Sequence, residues 1–471
     1  MDDTDLAYAG AAEQARLVRT GEVSARELVS AILARIDALN PGLNAYRVVF
    51  AERALEEAAR QDTRHSSDPE RPLLGVPVAI KDDVDVAGEV TAWGTSAFGA
   101  PKSVDSDVVT RLRSAGALVI GKTHVPEMTV WPWTASLTWG ATRNPWDTKR
   151  TPGGSSGGSA VAAAAGMCGV ALGSDGGGSI RYPSALTGVF GIKPTRDRIS
   201  LAPDHFDAWN GLTVYGPLAR RVRDAAVFLD ATVADPPAGG FRAALERPPD
   251  RLRIAVSLKP PLGSLACLTS EQRDAIERTA ALLRSLGHDV FEHEVDYGLN
   301  ALLNVTVRYL KGVEHDVAAM PRPERLERNT RRLAALGSLV ADSWLAIARR
   351  SEPAIAARMN RSFERADVVL TPMVGGPPPI ITDVAGRGVV RSLYRSFNEV
   401  AWAAPWNAIG QPAASVPAGF DSRGLPLAVQ LCGRAGDDVT LLRLAAALED
   451  ARPWADRRPP VDEPSGTPDR P

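Results

Sequence analysis

Residues 152–181 read PGGSSGGSAVAAAAGMCGVALGSDGGGSIR. Glycines cluster at Gly153-Gly154, Gly157-Gly158 and Gly176-Gly177-Gly178, with hydroxyls set among them at Ser155, Ser156, Ser159 and Ser179. A low-complexity linker has a similar look. It would not carry Val161, Val170, Leu172 and Ile180 around those glycines, because a disordered chain lacks the apolar residues for a core. The small residues over about 156–166 predict a helix suited to close packing. Glycines ahead of a hydroxyl let successive N–H groups turn into one concavity, which is what stabilising a developing oxyanion requires.

Working outward, the apolar run Val76 to Ile80 predicts a buried strand that ends in Lys81-Asp82-Asp83. Further upstream a helix over about 10–20 ends at Gly21. Ser24-Ala25-Arg26-Glu27 is a capping box that starts a second helix, with Leu28, Ile32 and Ile36 on one face, until Asn40-Pro41-Gly42 stops it. A third helix is expected over about 47–60 and a polar loop from Gln61 to Glu70. Ser106 is read as the cap of a helix to Ala115, followed by a strand over Ala117 to Ile120. Downstream, a strand at 252–256, a helix at 270–286 and a strand at 288–294 make a βαβ rhythm. Residues 300–365 read as Arg-rich helices, a candidate surface subdomain. Strands follow near 367–370, 413–416 and 427–431, then a last helix at about 437–450. The reading is an α/β fold in one domain over 1–458, with 459–471 as a disordered tail.

Composition narrows the function. The 471 residues are 44% hydrophobic and 23% charged, and 54 Lys+Arg against 56 Asp+Glu leave a net charge of −2, which argues against a polybasic nucleic-acid surface. No run of about 18 apolar residues predicts a membrane span. The acidic start, Met1-Asp2-Asp3-Thr4-Asp5, is unlike a signal peptide, so a cytoplasmic location is expected. Three scattered cysteines suit neither a disulfide framework nor a thiolate zinc site. Only seven of the cations are lysines, which draws attention to any lysine in an apolar context, since a desolvated Lys can lose its proton where Arg cannot.

Several motifs are excluded on physical grounds. Gly116-Ala-Leu-Val-Ile-Gly121-Lys122-Thr123 matches the P-loop pattern by letter. Its four intervening residues are strand formers, and Pro126 stands where the helix should start. The six histidines show no metal-ligand spacing, and His124 near Glu127 is the closest approach to a pair. Gly177-Gly178-Ser179-Ile180-Arg181 lacks the closing glycine of a G-x-S-x-G elbow, so serine chemistry there needs a base other than histidine. The informative constellation is Lys81 at a strand end, Ser155 and its neighbours in a glycine-tight loop, and Ser179 behind three glycines. A lysine desolvated by apolar neighbours can act as a base near neutral pH.

On these motifs the sequence resembles the amidase signature enzymes over nearly its whole length. The matching residues are Pro77-Val78-Ala79-Ile80-Lys81-Asp82, Gly121-Lys122-Thr123, Asn144-Pro145-Trp146 and Gly153 to Ser159. They continue through Ser174-Asp175, Gly177 to Arg181, Gly188 to Thr195 and Asn407 to Pro426. The resemblance implies a large mixed, twisted β-sheet covered by helices on both faces. It also implies a Ser-cisSer-Lys triad, with Ser179 as nucleophile, Ser155 as the bridging serine and Lys81 as base, and an oxyanion hole at the amides of Gly176, Gly177, Gly178 and Ser179. Gly176 departs from the pattern, since many members carry Thr or Ile there.

The implied reaction is hydrolysis of a carboxylic amide through an acyl-enzyme, with no metal and no cofactor. The implied partner is a small-molecule amide, with no nucleic acid and no membrane, and a homodimer is compatible with the reading. Met128, Trp131 and Trp133, with Trp139 nearby, follow the strand after Lys122, where related amidases line the acyl pocket. An aromatic wall there would suit an apolar or aryl acyl group, although the same residues would equally serve a core. Trp402, Trp406 and Asn407 are candidates to close the other side. Two alternatives stay open: the glutaminase subunit of a tRNA-dependent amidotransferase, and a non-catalytic binding protein on this scaffold.

Overall fold

The structure, a computed structural model, describes residues 1–63, 71–203 and 207–462. Among the described residues there are thirteen strands: β1 (Tyr46–Val49), β2 (Pro77–Lys81), β3 (Leu118–Thr123), β4 (Ala135–Ser136), β5 (Gly140–Ala141), β6 (Val170–Asp175), β7 (Phe190–Lys193), β8 (Val214–Ala219), β9 (Arg253–Val256), β10 (Asp289–Glu292), β11 (Val368–Pro372), β12 (Ala413–Phe420) and β13 (Pro426–Cys432). β4 and β5 form a small hairpin. The other 11 make one mixed sheet in the order β1-β3-β2-β6-β8-β7-β12-β13-β11-β9-β10. β3, β2 and β6 run parallel, as do β11, β9 and β10, and the pairings between these blocks are antiparallel.

Strand alternation distributes the core. Val78 and Ile80 of β2, Val170 and Leu172 of β6, and Val368 and Leu370 of β11 enter one large cluster with the helices Asp107–Ser114, Val222–Thr232, Ser270–Ser285 and Asp438–Ala451. Their neighbours take the opposite face, which is divided. Ala79 and Ala171 pack with the helices Ala25–Leu43 and Gly157–Ala164. Ala255, Val369 and Ala413 pack with the helices Ala301–Ala318 and Asp342–Asn360. Helices therefore cover both faces.

Local expectations hold where the signal is local. The Ser24–Glu27 capping box is formed in full, and Gly21 closes the helix Ala11–Thr20 in the left-handed conformation. Others fail for identifiable reasons. The Ala25–Leu43 helix runs through Pro41, which sits in the last turn and removes a single hydrogen bond there, and ends at Asn44 (φ 52). The helix expected over 47–60 is instead strand β1 followed by the helix Ala51–Asp62, because Tyr46 to Val49 pair with β3. Ser106 takes the N-cap position, but its hydroxyl donates to the carbonyl of Asp85. β8 carries Gly216 and Pro217 and gave no strand signal. Within the expected tail, Pro460–Asp462 form a short 3-10 turn; residues 463–471, and 64–70 of the expected polar loop, lie outside the described residues. Among the described residues no helix is long and apolar enough to cross a membrane.

Candidate active site

β2 and β6 are parallel neighbours in register, Ile80 opposite Leu172, so their C-terminal ends come out side by side. Lys81 is the last residue of β2 and Asp175 the last of β6. Over these ends lies the turn into the helix Gly157–Ala164, with a cis peptide between Gly154 and Ser155. The helix enters tightly. A methyl group on Gly158 would lie 2.5 Å from the carbonyl oxygen of Ala45 and from the amide nitrogen of His124, so the loop can approach only with glycine. Ser179 precedes the helix Arg181–Thr187, and its carbonyl accepts the N–H of Ser156 at 3.2 Å, which ties the two serine loops together.

Lys81 is fully buried, with Nζ 2.7 Å from Ser155 Oγ, 2.6 Å from Ser174 Oγ and 3.2 Å from Asp83 Oδ2. Burial pushes its amine below the ordinary lysine range, against the opposing pull of Asp83 and, more weakly, Asp175. Ser174 donates its hydroxyl proton to Asp83 Oδ2 at 2.6 Å and is pinned by Ser156, whose hydroxyl donates to the Ser174 carbonyl at 3.1 Å. Ser159 contacts Thr123 Oγ1 at 2.7 Å and donates to Leu172 O at 2.9 Å. Asp83 is the residue the sequence reading passed over. Its signal was the Lys81-Asp82-Asp83 run, in which alternate residues at a strand end share a side.

The glycine turn 176–178 is held from below. Asp175 accepts both nitrogens of the Arg181 fork at 3.0 Å, and Arg181 donates onward to Gln430 Oε1 at 2.7 Å and Asn407 Oδ1 at 2.6 Å. Asn407 returns a hydrogen bond to Asp175 Oδ1 at 2.9 Å. Burial alone would raise the Asp175 carboxyl, but Arg181 and Asn407 hold it far below the usual carboxylate range. Asp175 Oδ1 also accepts the N–H of Gly178 at 2.6 Å. This corrects the expected oxyanion donors: the Gly178 amide is already used. Among the described residues the N–H groups of Gly176, Gly177 and Ser179 have no such acceptor.

A cleft opens above the turn in two compartments that share Thr129, Gly176, Ser179 and Trp209. Counting space open to solvent, they enclose about 430 and about 560 Å³. The smaller holds the polar groups, Ser155, Ser174, Asp83, Thr213 and Asp316, set among Trp93, Leu201, Ala208 and Tyr215, besides the shared residues, and is called the polar compartment below. The larger is apolar, walled by Trp131, Tyr309, Val400, Leu393 and Phe397. Leu393 and Phe397 are one helical turn apart on the helix Val389–Glu399, which Tyr182 anchors through its hydroxyl to Glu399 Oε2 at 2.8 Å. Trp209 divides the compartments. Its indole N–H donates to Asp316 Oδ2 at 2.9 Å, and its ring meets Tyr309 edge-on at 4.9 Å.

The expected substrate contacts are only partly in place. Trp131 lines the apolar compartment, whereas Met128 and Trp133 are buried in the cluster behind it, Trp133 stacked parallel on Trp131 at 5.5 Å. Consecutive left-handed residues at Met128 (φ 52) and Thr129 (φ 57) part the side chains there, Met128 into the core and Thr129 into the cleft. Trp402 and Trp406 are core residues, and Asn407 belongs to the Asp175 network. Trp139 lies against His124 and Arg47, away from both compartments. His124 and Glu127 do not pair, since Glu127 Oε2 accepts the N–H of Glu327. Lys122 of the apparent P-loop is a strand residue whose amine is held by Asp82 at 3.0 Å and Thr91 at 2.9 Å.

Comparison with known proteins agrees with this architecture. The family model Amidase matches residues 27–442. A protein of Mycobacterium tuberculosis described as putative amidase AmiB2 is 50% identical over 98% of this chain and 100% of its own length. The 6-aminohexanoate-cyclic-dimer hydrolase of a Pseudomonas species is 34% identical over 99% of both chains. A solved structure of 6-aminohexanoate cyclic dimer hydrolase with its substrate superposes with a TM-score of 0.87 at 32% identity, covering 97% of this chain and 99% of the other. The chain belongs to the amidase signature family. Its class of reaction is the hydrolysis of amide bonds.

Proposed function

We propose that the protein hydrolyses a carboxylic amide through an acyl-enzyme on Ser179, with Ser155 relaying protons to a neutral Lys81. The observation that carries this is the 2.7 Å contact of Lys81 Nζ with Ser155 Oγ, at the wall of the compartment that Ser179 also lines. Lys81 accepts the Ser155 proton as Ser155 takes that of Ser179, whose oxygen attacks the carbonyl carbon. The N–H groups of Gly176, Gly177 and Ser179 receive the oxyanion, each donor worth about 2.7–4 kcal/mol in such a role. The relay then returns the proton to the departing nitrogen, and water releases the acid by the same path.

Ser155 also orients the substrate. A group that protonates the leaving nitrogen must lie within hydrogen-bond reach of it. Ser155 lines only the polar compartment, so the amine half belongs there and the acyl half in the apolar one. An apolar or aryl acyl group follows from the walls of Trp131, Tyr309 and Phe397. Those walls offer a poor receptor for the polar end of glutamine, which sets the glutaminase reading second.

The test is labelling by a fluorophosphonate together with a screen of aliphatic, aryl and peptide amides. Wild-type protein should label at Ser179 and hydrolyse amides of apolar acids; Ser179→Ala should do neither, and Lys81→Ala should lose at least about 10²–10⁴-fold in rate at neutral pH while staying folded. Labelling that persists in Ser179→Ala moves the nucleophile elsewhere.

A further inference from the structure

We infer that the Thr129 hydroxyl accepts the N–H of the scissile amide, so that this residue raises the cleavage of amides relative to esters of the same acid. The inference rests on the acyl-enzyme reading above, in which Ser155 protonates the leaving nitrogen. Thr129, Gly176, Ser179 and Trp209 are the residues common to both compartments, so a bond with its acyl half in one and its amine half in the other lies among them. Three of the four are committed. Ser179 attacks the carbon, Gly176 offers its N–H to the oxyanion, and the Trp209 indole N–H is held by Asp316 Oδ2 at 2.9 Å. The Thr129 hydroxyl has no hydrogen-bond partner among the described residues. Thr129 is only 6% exposed, and the space it faces is the cleft.

The backbone holds that hydroxyl in place at a cost. Thr129 has φ 57 and follows Met128 at φ 52, a conformation that a β-branched residue rarely adopts. The turn is kept by the N–H of Met128 on Trp93 O at 2.7 Å and by the N–H of Thr129 on Pro126 O at 2.9 Å. Strain of this kind persists where the surroundings over-determine it, and it concentrates at ligand-binding positions. Amide cleavage supplies the need. When the tetrahedral intermediate forms, the nitrogen becomes pyramidal and must turn its lone pair to Ser155 to be protonated. Its N–H then points away from Ser155 and requires an acceptor within the cleft. A hydroxyl without a partner offers one. The leaving oxygen of an ester carries no hydrogen and gains nothing from that acceptor, whereas donation by Thr129 to the oxyanion would serve both substrates alike.

The test measures kcat/KM, which reports acylation, for an amide and an ester that share the acyl group hydrolysed fastest in the screen above. The leaving groups are benzylamine and benzyl alcohol. Thr129→Val keeps the shape and β-branching of the residue and removes the hydroxyl; the amide-to-ester ratio should fall by about tenfold, the size of one hydrogen bond left unmade. Thr129→Ser restores the hydroxyl and should hold the ratio within about twofold of the wild type. Should Thr129→Val fail to label with the fluorophosphonate, Thr129→Ala takes its place in the same comparison. A ratio that the hydroxyl-free variant leaves unchanged or raises overturns the inference, and so does an equal fall in Thr129→Ser. Failure of the wild type to cleave the amide while Ser179 still labels overturns it too but spares the acyl-enzyme; loss of wild-type labelling removes both.

Discussion

Arg181 grips both oxygens of Asp175, Nε on Oδ2 and Nη2 on Oδ1, each at 3.0 Å, and both side chains are wholly buried. The pair sits directly beneath the glycine turn, and the same carboxylate fixes the N–H groups of Gly178 and Ile180. The turn is thus held by a buried charge that the Arg181 guanidinium, with Asn407, keeps compensated. Arg181→Met should cost about 3–5 kcal/mol in urea unfolding, because it strands a buried carboxylate. Arg181→Lys should recover little of this, since an ammonium cannot reproduce the fork onto Asp175, Gln430 and Asn407. Near-wild-type stability for the lysine variant would show that the fork geometry is not what holds the turn.

The pH profile reports on Lys81. Only its neutral form can accept a proton, so log kcat/KM should rise with pH with unit slope and level off below the ordinary lysine range, because burial disfavours the ammonium. Asp83 opposes that shift. Asp83→Asn should therefore move the rising limb to lower pH, whatever it does to the maximal rate. A limb that stays put or moves upward in this variant would contradict the role given to the Lys81–Asp83 contact.

Two buried carboxyl groups should make stability depend on pH in the opposite sense to the usual paired carboxylate. Burial pushes Asp224 and Glu449 each up to about 7. Their folded values lie above the unfolded ones, so the folded state binds the protons more tightly. The contribution to stability is intact below about pH 4 and is lost as pH rises towards 7. Asp224 Oδ1 accepts the N–H of Ala12 at 2.8 Å, while Oδ2 is buried with no partner. Asp224→Asn keeps the first contact and removes the ionisation, so it should raise stability at pH 8 by up to ~4 kcal/mol and leave it nearly unchanged at pH 4. Equal effects at the two pH values would refute this.

Gly176 and Trp209 should behave as one unit. A methyl at 176 would lie 2.7 Å from the indole and 2.9 Å from Thr213 Oγ1, and the ring has Gly312 behind it and cannot yield freely. Gly176→Ala should lower kcat/KM by about tenfold and alter tryptophan fluorescence, whereas in a Trp209→Ala background the same change should cost less. The coupling energy expected for contacting residues is about 0.5–3 kcal/mol. Additive effects would mean that the ring and the glycine act independently.

What was legible beforehand was what depends on near neighbours in the chain. The Ser24–Glu27 cap, the Gly21 stop, the buried run ending in Lys81 and the βαβ rhythm after residue 250 all rest on spacing within a few residues, and the described chain has them. Strand β8 was missed because Gly216 and Pro217 mask its pattern, and it is a strand because β6 and β7 supply partners on both sides. β1 was missed because four residues carry too little periodicity to outweigh the helix that follows.

The sequence by itself determined the class of chemistry. Glycine runs set the turns on which Ser155 and Ser179 sit, and the apolar strand before Lys81 ensures that its amine is dry, since both properties follow from the residues adjoining each group. Which side chains surround those groups was decided only in three dimensions. Ser174 reaches Lys81 across 93 positions of chain, and Trp209, Tyr309 and Phe397 come from segments far apart. No local rule encodes such meetings. They arise from the register between β2 and β6 and from the packing of distant helices over the sheet, which sent Met128 and Trp133 into the core and left Trp131 facing the cleft.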